Sequence, residues 1–323
     1  MKNINAIIIQ KIIDSIPPNM KLAEFLMDKL GLCKESAYRR IRGDVAFTIE
    51  QIMHLSLELG FSIDELVAQK NNDYILYRQK SLKAYEPNET FVAMFETFYE
   101  SISRQCQAKD SYTIIALNRL PDIFTVSFEN LFRFYYYKWV HQINDTSVNL
   151  SFSEIVLPPE VATLRNKILP YAGRHKNITF ILDPNTFYNT LSDIQYYCSR
   201  GLIDDKELAL LKNELRSIQD GIEILIRKGT WQEGHSISYS YSYYLSSVPI
   251  DNNSCYVWYD NHAESHYWFN SVISFYNKTK QATDLHKIWL ESLKKYAELM
   301  TKSNELVQAS YLKKHAELIE TMF

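Results

Sequence analysis

The stretch Lys34-Glu35-Ser36-Ala37-Tyr38-Arg39-Arg40-Ile41-Arg42-Gly43 crowds Lys34, Arg39, Arg40 and Arg42 together and stops at a glycine. A guanidinium group can donate a pair of hydrogen bonds to guanine, and lysine or serine can meet bases or phosphate. If Tyr38 and Ile41, three apart, turn inward on a helix, then Lys34, Glu35, Ser36, Arg39, Arg40 and Arg42 face out. Residues near the start of such a helix are better placed for base edges. Its later arginines suit phosphates. Lys34, Glu35, Ser36 and Arg39 are therefore the expected base-facing set, with Arg40 and Arg42 on the backbone.

Other chemistry is weaker. His262 and His266 stand four apart beside Asp260 and Glu264, which on a helix would place both imidazoles on one side. The glutamate falls one residue late for a zinc-protease pattern, and the segment sits between two expected strands, so a polar loop is the reading and no metal is assigned. Only eight glycines occur, with no phosphate-cradling loop and no nucleophile elbow. The four cysteines lie far apart, which suits a reducing cytosol and builds no disulfide framework. No catalytic residue, enzyme activity or cofactor is expected.

The basic stretch sits in a run of short helices. Ile4, Ile8, Ile12 and Ile16 recur every four residues with Ile7 and Ile13 beside them, and Pro17-Pro18 ends the pattern. A second helix covers Lys21 to Leu30 with Leu22, Phe25, Leu26 and Leu30 on one side, and Gly31 makes the turn. A fourth starts at Thr48, where Thr48-Ile49-Glu50-Gln51 has capping-box spacing, with Ile49, Ile52, Met53, Ser56 and Leu59 as its stripe. Gly60 closes it, and Ser62-Ile63-Asp64-Glu65 opens a short fifth helix. This is the layout of a helix-turn-helix domain.

At LAEFLMDKLGLCKESAYRRIRGD and FTIEQIMHLSLELGFSIDEL the chain resembles the lambda-repressor-like, XRE-type domains. The resemblance implies that the helix from about Lys34 to Arg42 enters the major groove of double-stranded DNA while Lys21 to Leu30 crosses the backbone. The chain departs from the family pattern at Cys33, where a small polar cap is usual, and at Ile41-Arg42-Gly43, which lacks the usual acidic residue. The YRRIRG ending followed by Phe47-Thr48 is also similar to Bacteroides-type regulators of about this length. That likeness extends to Phe132–Trp139 and WLESLKK and brings no known chemistry.

The fold class expected is α+β: an all-helical helix-turn-helix domain over residues 1–70, a linker over 71–90, and a larger mixed domain over 91–323 ending in two helices. A helix is expected across Tyr74 to Tyr85. Further on come helices over Phe91–Gln105 and Phe128–Ile143, one opened by Pro158-Pro159 and running to about Tyr171, one capped by Asp183-Pro184, and one over Asp205–Lys228. Strands are expected at Ser111–Leu117, Ile178–Leu182, Cys255–Tyr259 and Tyr267–Tyr276. SISYSYSYYLSSV alternates as a half-buried strand, with Ile237, Tyr239, Tyr241 and Tyr243 opposed to Ser236, Ser238, Ser240 and Ser242. The closing helices are Thr283–Thr301, striped by Leu285, Ile288, Trp289, Ser292, Leu293, Tyr296 and Met300, and Asn304–Thr321, striped by Val307, Tyr311, Leu318 and Met322.

The formal net charge of -3 gives no global pull toward nucleic acid, and residues 1–70 carry as many Asp/Glu as Lys/Arg. Attraction to DNA must come from a local patch. The Ala6–Ile9 run is too short for a signal peptide and no run spans a membrane, so a cytoplasmic protein is expected. The expected function is a transcriptional regulator whose second domain dimerises, as helix-turn-helix proteins usually do, with effector sensing by a small molecule or protein left open. The alternatives are a module whose N-terminal helices contact a protein, or an enzyme using the Tyr/Ser sheet or the histidine pair.

Overall fold

A computed structural model describes residues 4–16, 20–64, 77–79, 87–143, 147–174, 176–231, 239–268 and 274–322. The chain divides into two compact units, Met1–Leu76 and Tyr77–Phe323. The fold is α+β, with all-helical structure in the first unit and a mixed sheet with helices in the second.

In the first unit α1 (Ile4–Ser15), α2 (Leu22–Leu30), α3 (Lys34–Arg42) and α4 (Ile49–Leu59) enclose a small core of Ile8, Ile12, Phe25, Leu26, Ala37, Phe47, Leu55 and Phe61. Thr48 caps α4 as its sequence predicts: its hydroxyl accepts from the Gln51 amide while Gln51 Oε1 accepts from the Thr48 amide. Two stripes are corrected. Ile13 is exposed, and α4 turns Leu55 inward while Ile49, Met53 and Leu57 face out. Of the fifth helix only its start at Ile63–Asp64 is among the described residues.

The second unit is built on one sheet, ordered β3-β4-β2-β1-β5-β6-β7. Its strands are β1 (Ser111–Leu117), β2 (Asn177–Leu182), β3 (Thr230–Trp231), β4 (Tyr239–Ser246), β5 (Ser254–Tyr259), β6 (His262–Trp268), β7 (Ser274–Asn277) and β8 (Ala297–Leu299). Strands β1, β2 and β4 run parallel, joined by helical crossovers, and β5 to β7 continue as an antiparallel meander. The helices are α5 (Pro87–Gln107), α6 (Asp122–Thr125), α7 (Glu129–Ile143), α8 (Pro159–Ile168), α9 (Thr186–Ser199), α10 (Asp205–Lys228), α11 (Lys280–Leu293) and α12 (Glu305–Thr321). One sheet face, with Ile178, Phe180, Leu182, Tyr241 and Tyr243, joins the main core. The other, with Ile114, Ala116, Ile181 and Tyr256, packs around Leu290 of α11.

Polar groups lock this frame at element ends. Asp183, buried beyond β2, accepts from the Asn185 and Ile250 amides, and its own amide donates to Leu117 O. It therefore forms a turn ahead of α9, whose cap position is held by Asn185 and not by Asp183-Pro184. The Glu214 carboxylate on α10 accepts from the Asn130 and Leu131 amides, satisfying donors that the start of α7 cannot satisfy itself.

Other expectations are corrected by backbone pairing. Residues 77–79 do not continue a helix, because Arg78 exchanges hydrogen bonds with Tyr276 in β7; the rest of that expected helix lies outside the described residues. The expected Tyr267–Tyr276 strand is the ends of β6 and β7. The helix expected to run to Thr301 ends at Leu293, since residues 297–299 pair with the open edge of β4. On α11 the buried side chains are Ala282, Thr283, His286 and Leu290, leaving Leu285, Ile288 and Trp289 exposed. Among the described residues, no helix is long and apolar enough to cross a membrane.

His286 and His315 give this unit a pH signature. Both are buried, and burial pulls each imidazole from 6.5 down to about 4. In the unfolded chain the same groups bind protons below about 6.5. The unfolded state thus holds more protons between these values, so stability falls as pH drops from 6.5 toward 4. Urea unfolding across that window should show a midpoint that declines with pH. Neither ring nitrogen of His286 has a hydrogen-bond partner among the described residues. His286→Phe should therefore stabilise the unit by about 1 kcal/mol or more and make the decline shallower.

Candidate nucleic-acid interface

The turn between α2 and α3 rests on Gly31, whose φ of 62° lies in the left-handed region that glycine tolerates. Leu32 and Cys33 complete the connection. Cys33 occupies the cap position with extended backbone but caps nothing with its side chain; its thiol donates to Ser36 Oγ at 3.3 Å. The helix ends at Gly43, again left-handed, whose amide returns to the last turn. Arg39, Arg40 and Arg42 in that turn sit at the negative end of the helix dipole.

Rotation of α3 about its axis decides which side chains it presents, and here the expected setting is corrected. Ala37 is fully buried and Ile41 half-buried, whereas Tyr38 is 43% exposed. A methyl group at the buried position lets neighbouring helices approach more closely than a tyrosine ring would. The outward stripe is therefore Glu35, Tyr38, Arg39 and Arg42, with Lys34 exposed beside it at the first turn.

The expected residues divide accordingly. Lys34 and Arg39 are exposed cations with no ion pair among the described residues, and Glu35 is exposed beside them. Arg42 is exposed but donates through Nε and a terminal nitrogen to Asp44 Oδ2, both at 2.9 Å. Ser36 and Arg40 are half-buried, not outward. Arg40 Nε donates to Gln51 Oε1 at 3.1 Å and a terminal nitrogen donates to Ser36 O. The buried Asn5 amide of α1 donates to Arg40 O and accepts from the Phe47 amide. Arg40 therefore belongs to the framework that holds α3 against α1 and α4.

Tyr38 is the surface residue that sequence reasoning missed. Its signal lay in Ala37, the small side chain that a tight helix crossing needs. Gln51 was seen only as half of a capping box, yet the same oxygen also takes Arg40.

The second unit redraws the histidine pair. Asp260 and Asn261, at φ of 40° and 69°, form a two-residue hairpin turn, and His262–Trp268 is strand β6, not a loop. Four residues along a strand separate His262 and His266 by about 13 Å, too far to share a metal ion. His266 Nε2 lies 3.3 Å from Glu264, which also pairs with Lys278 at 2.8 Å and accepts from the Tyr259 hydroxyl. Burial would push the Glu264 carboxyl up, but His266 and Lys278 outweigh it and hold it well below the usual range. On β4, Tyr241 and Tyr243 are buried while Ser240 is exposed and Ser242 half-buried; Ser236, Ile237 and Ser238 lie outside the described residues.

No protein-family model matches the chain, and no curated protein matches it either.

The shared oxygen of Gln51 is testable. Gln51→Ala leaves the half-buried Arg40 Nε unmet and opens half of the capping box, at an expected cost of about 1–2 kcal/mol. Amide hydrogen exchange of the full chain should show lost protection across residues 34–59, and Gln51→Glu, which keeps the acceptor, should restore it.

Proposed function

We propose that the chain is a sequence-specific DNA-binding transcriptional regulator of the XRE-like helix-turn-helix kind, acting in the cytoplasm. One observation carries the reading: α3, set behind a left-handed glycine turn, presents Lys34 and Arg39 outward with no ion-pair partner among the described residues. Pairing such cations with phosphate costs no existing salt bridge, and an arginine at this place can pair with guanine. Tyr38 adds a flat apolar surface on the same stripe. Arg42 must exchange Asp44 for phosphate, so its contribution is smaller.

The second unit then serves self-association and effector sensing. Leu285, Ile288 and Trp289, exposed together on α11, support the former. A different reading, in which the first unit docks on a protein, is favoured by the exposed Ile49, Met53 and Leu57 of α4.

Selection of random duplexes on the purified full chain separates the two. The proposal expects enrichment of a defined site, with affinity falling as salt rises at a log–log slope of about −0.9 per phosphate neutralised. Arg39→Ala should weaken binding and relax preference at one base pair by about 1–3 kcal/mol. Lys34→Ala should lower affinity for all sequences alike. No enriched site, or unchanged affinity in Arg39→Ala, would sink the DNA reading.

A further inference from the structure

A one-way chain of hydrogen bonds runs from β1 into α5. Thr113 Oγ1 donates to Gln105 Oε1 at 2.6 Å, and Gln105 Nε2 donates to Ser101 O and Oγ, both at 3.2 Å. The direction is fixed chemically. A backbone carbonyl only accepts, so the Gln105 amide nitrogen must face Ser101 and its oxygen must face Thr113. The buried Ser101 hydroxyl therefore receives a proton from Gln105 and still has its own to place. Among the described residues no acceptor for that proton stands within hydrogen-bond distance. A buried donor left in this state is one that a bound acceptor would satisfy.

The chain ends at a cavity. Ser101, Gln105 and Thr113 line a space of about 100 Å³ between α5 and the sheet face of β1, β5 and β6. Its origin is a local shortage of volume. On β2 and β4 the same sheet face is filled by Phe180, Tyr241 and Tyr243. On β1 and β5 it carries Thr113, Cys255 and Val257, which leave room that close-packed interiors otherwise avoid. Phe95, Phe98, Ile115 and Trp268 make most of the remaining wall apolar. Burial raises the Cys255 thiol, which stays protonated and acts as part of that apolar wall.

The charged groups of the wall are answered within the protein. Arg119 approaches Asp122 to 3.5 Å, its guanidinium lies 5.8 Å from the Trp268 ring centre, and it has a further partner besides. His266 is engaged with Glu264, which Lys278 also holds. An ionic guest would give up its water without meeting an unpaired charge of opposite sign, and burial of such an ion is unfavourable. The cavity suits an uncharged guest.

We infer that this cavity binds a small neutral molecule with an apolar body and one hydrogen-bond acceptor, such as a ketone, its oxygen on the Ser101 hydroxyl and its body against Phe95, Phe98 and Ile115. The volume is on the order of cavities that admit a benzene-sized guest, which sets the scale at single-ring molecules. The site lies wholly within the second unit, so it stands whether or not the first unit binds DNA.

The test titrates the full-length protein with cyclopentanone, cyclohexanone and acetophenone. Each is run beside the hydrocarbon in which a methylene group replaces the carbonyl oxygen, and beside cyclohexanecarboxylate and cyclohexylammonium as charged controls. Calorimetry and thermal shift give the affinity. At least one ketone should bind in the micromolar to low millimolar range, and the ions more weakly. Ser101→Ala removes the donor but leaves Gln105 Nε2 its backbone carbonyl. It should weaken ketone binding about threefold to tenfold while the hydrocarbons keep their affinity. Val257→Phe fills the space and should abolish binding of both classes. Far-UV circular dichroism identifies a variant that fails to fold, and the wild-type panel with Ser101→Ala is decisive without Val257→Phe. The inference is overturned if no ketone binds up to about 10 mM, if either ion binds better than the ketones, if Ser101→Ala changes ketones and hydrocarbons alike, or if binding survives in folded Val257→Phe.

Discussion

The central strands β1 and β2 are covered on both faces, and most of the second unit follows from that constraint. A strand buried on both sides must spend every backbone group on a neighbour and every side chain on a layer. Alternate residues of β1 accordingly serve different masters: Ile114 and Ala116 meet α11, whereas Thr113, Ile115 and Leu117 face α5 and the main core. Asp183 closes the arrangement at the strand ends by binding the Ile250 amide and the turn into α9. The region where small side chains occupy this frame is also where the cavity opens.

In the first unit the governing quantity is rotation and not position. The helices, the glycine turn and the Thr48 cap are legible because each has a local cause: periodicity, a backbone region open to glycine, a side chain within reach of an amide. Which face of α3 turns inward has no such cause. It depends on how near α3 comes to its neighbours, and Ala37 permits a close approach that Tyr38 would block. Hydrophobic size points to Tyr38; close packing selects Ala37. In α4 the buried side is likewise set by its neighbours, with Leu55 inside and Ile49 and Met53 outside. Of the surface residues expected, Arg40 proved structural because its partner, Gln51, lies on a different helix.

The second unit was legible where one element carries its own signal. The strand Ser111–Leu117 and the helix Asp205–Lys228 match their expected limits, the latter because Asp204 and Glu207 form a capping box and Gly229 ends it. It was illegible where a distant edge decides. Residues 297–299 read as helix until the open side of β4 claims them. His262–Trp268 reads as loop until β5 and β7 flank it. The cavity was beyond reach for a related reason: an absence of volume belongs to four elements at once and marks none of them.

The packing of α12 has a consequence for the order in which the two units are made. Every core contact of the first unit is available once its own residues, Met1–Leu76, have been synthesised. The second unit must wait, because Tyr311 of α12 hydrogen-bonds Tyr243 on β4, and Gln308 binds Met300 O behind β8. Until α12 leaves the ribosome, the buried Tyr243 hydroxyl of β4 lacks its Tyr311 partner. The helical unit can therefore mature during translation while the sheet remains the portion of the nascent chain most in need of protection from aggregation.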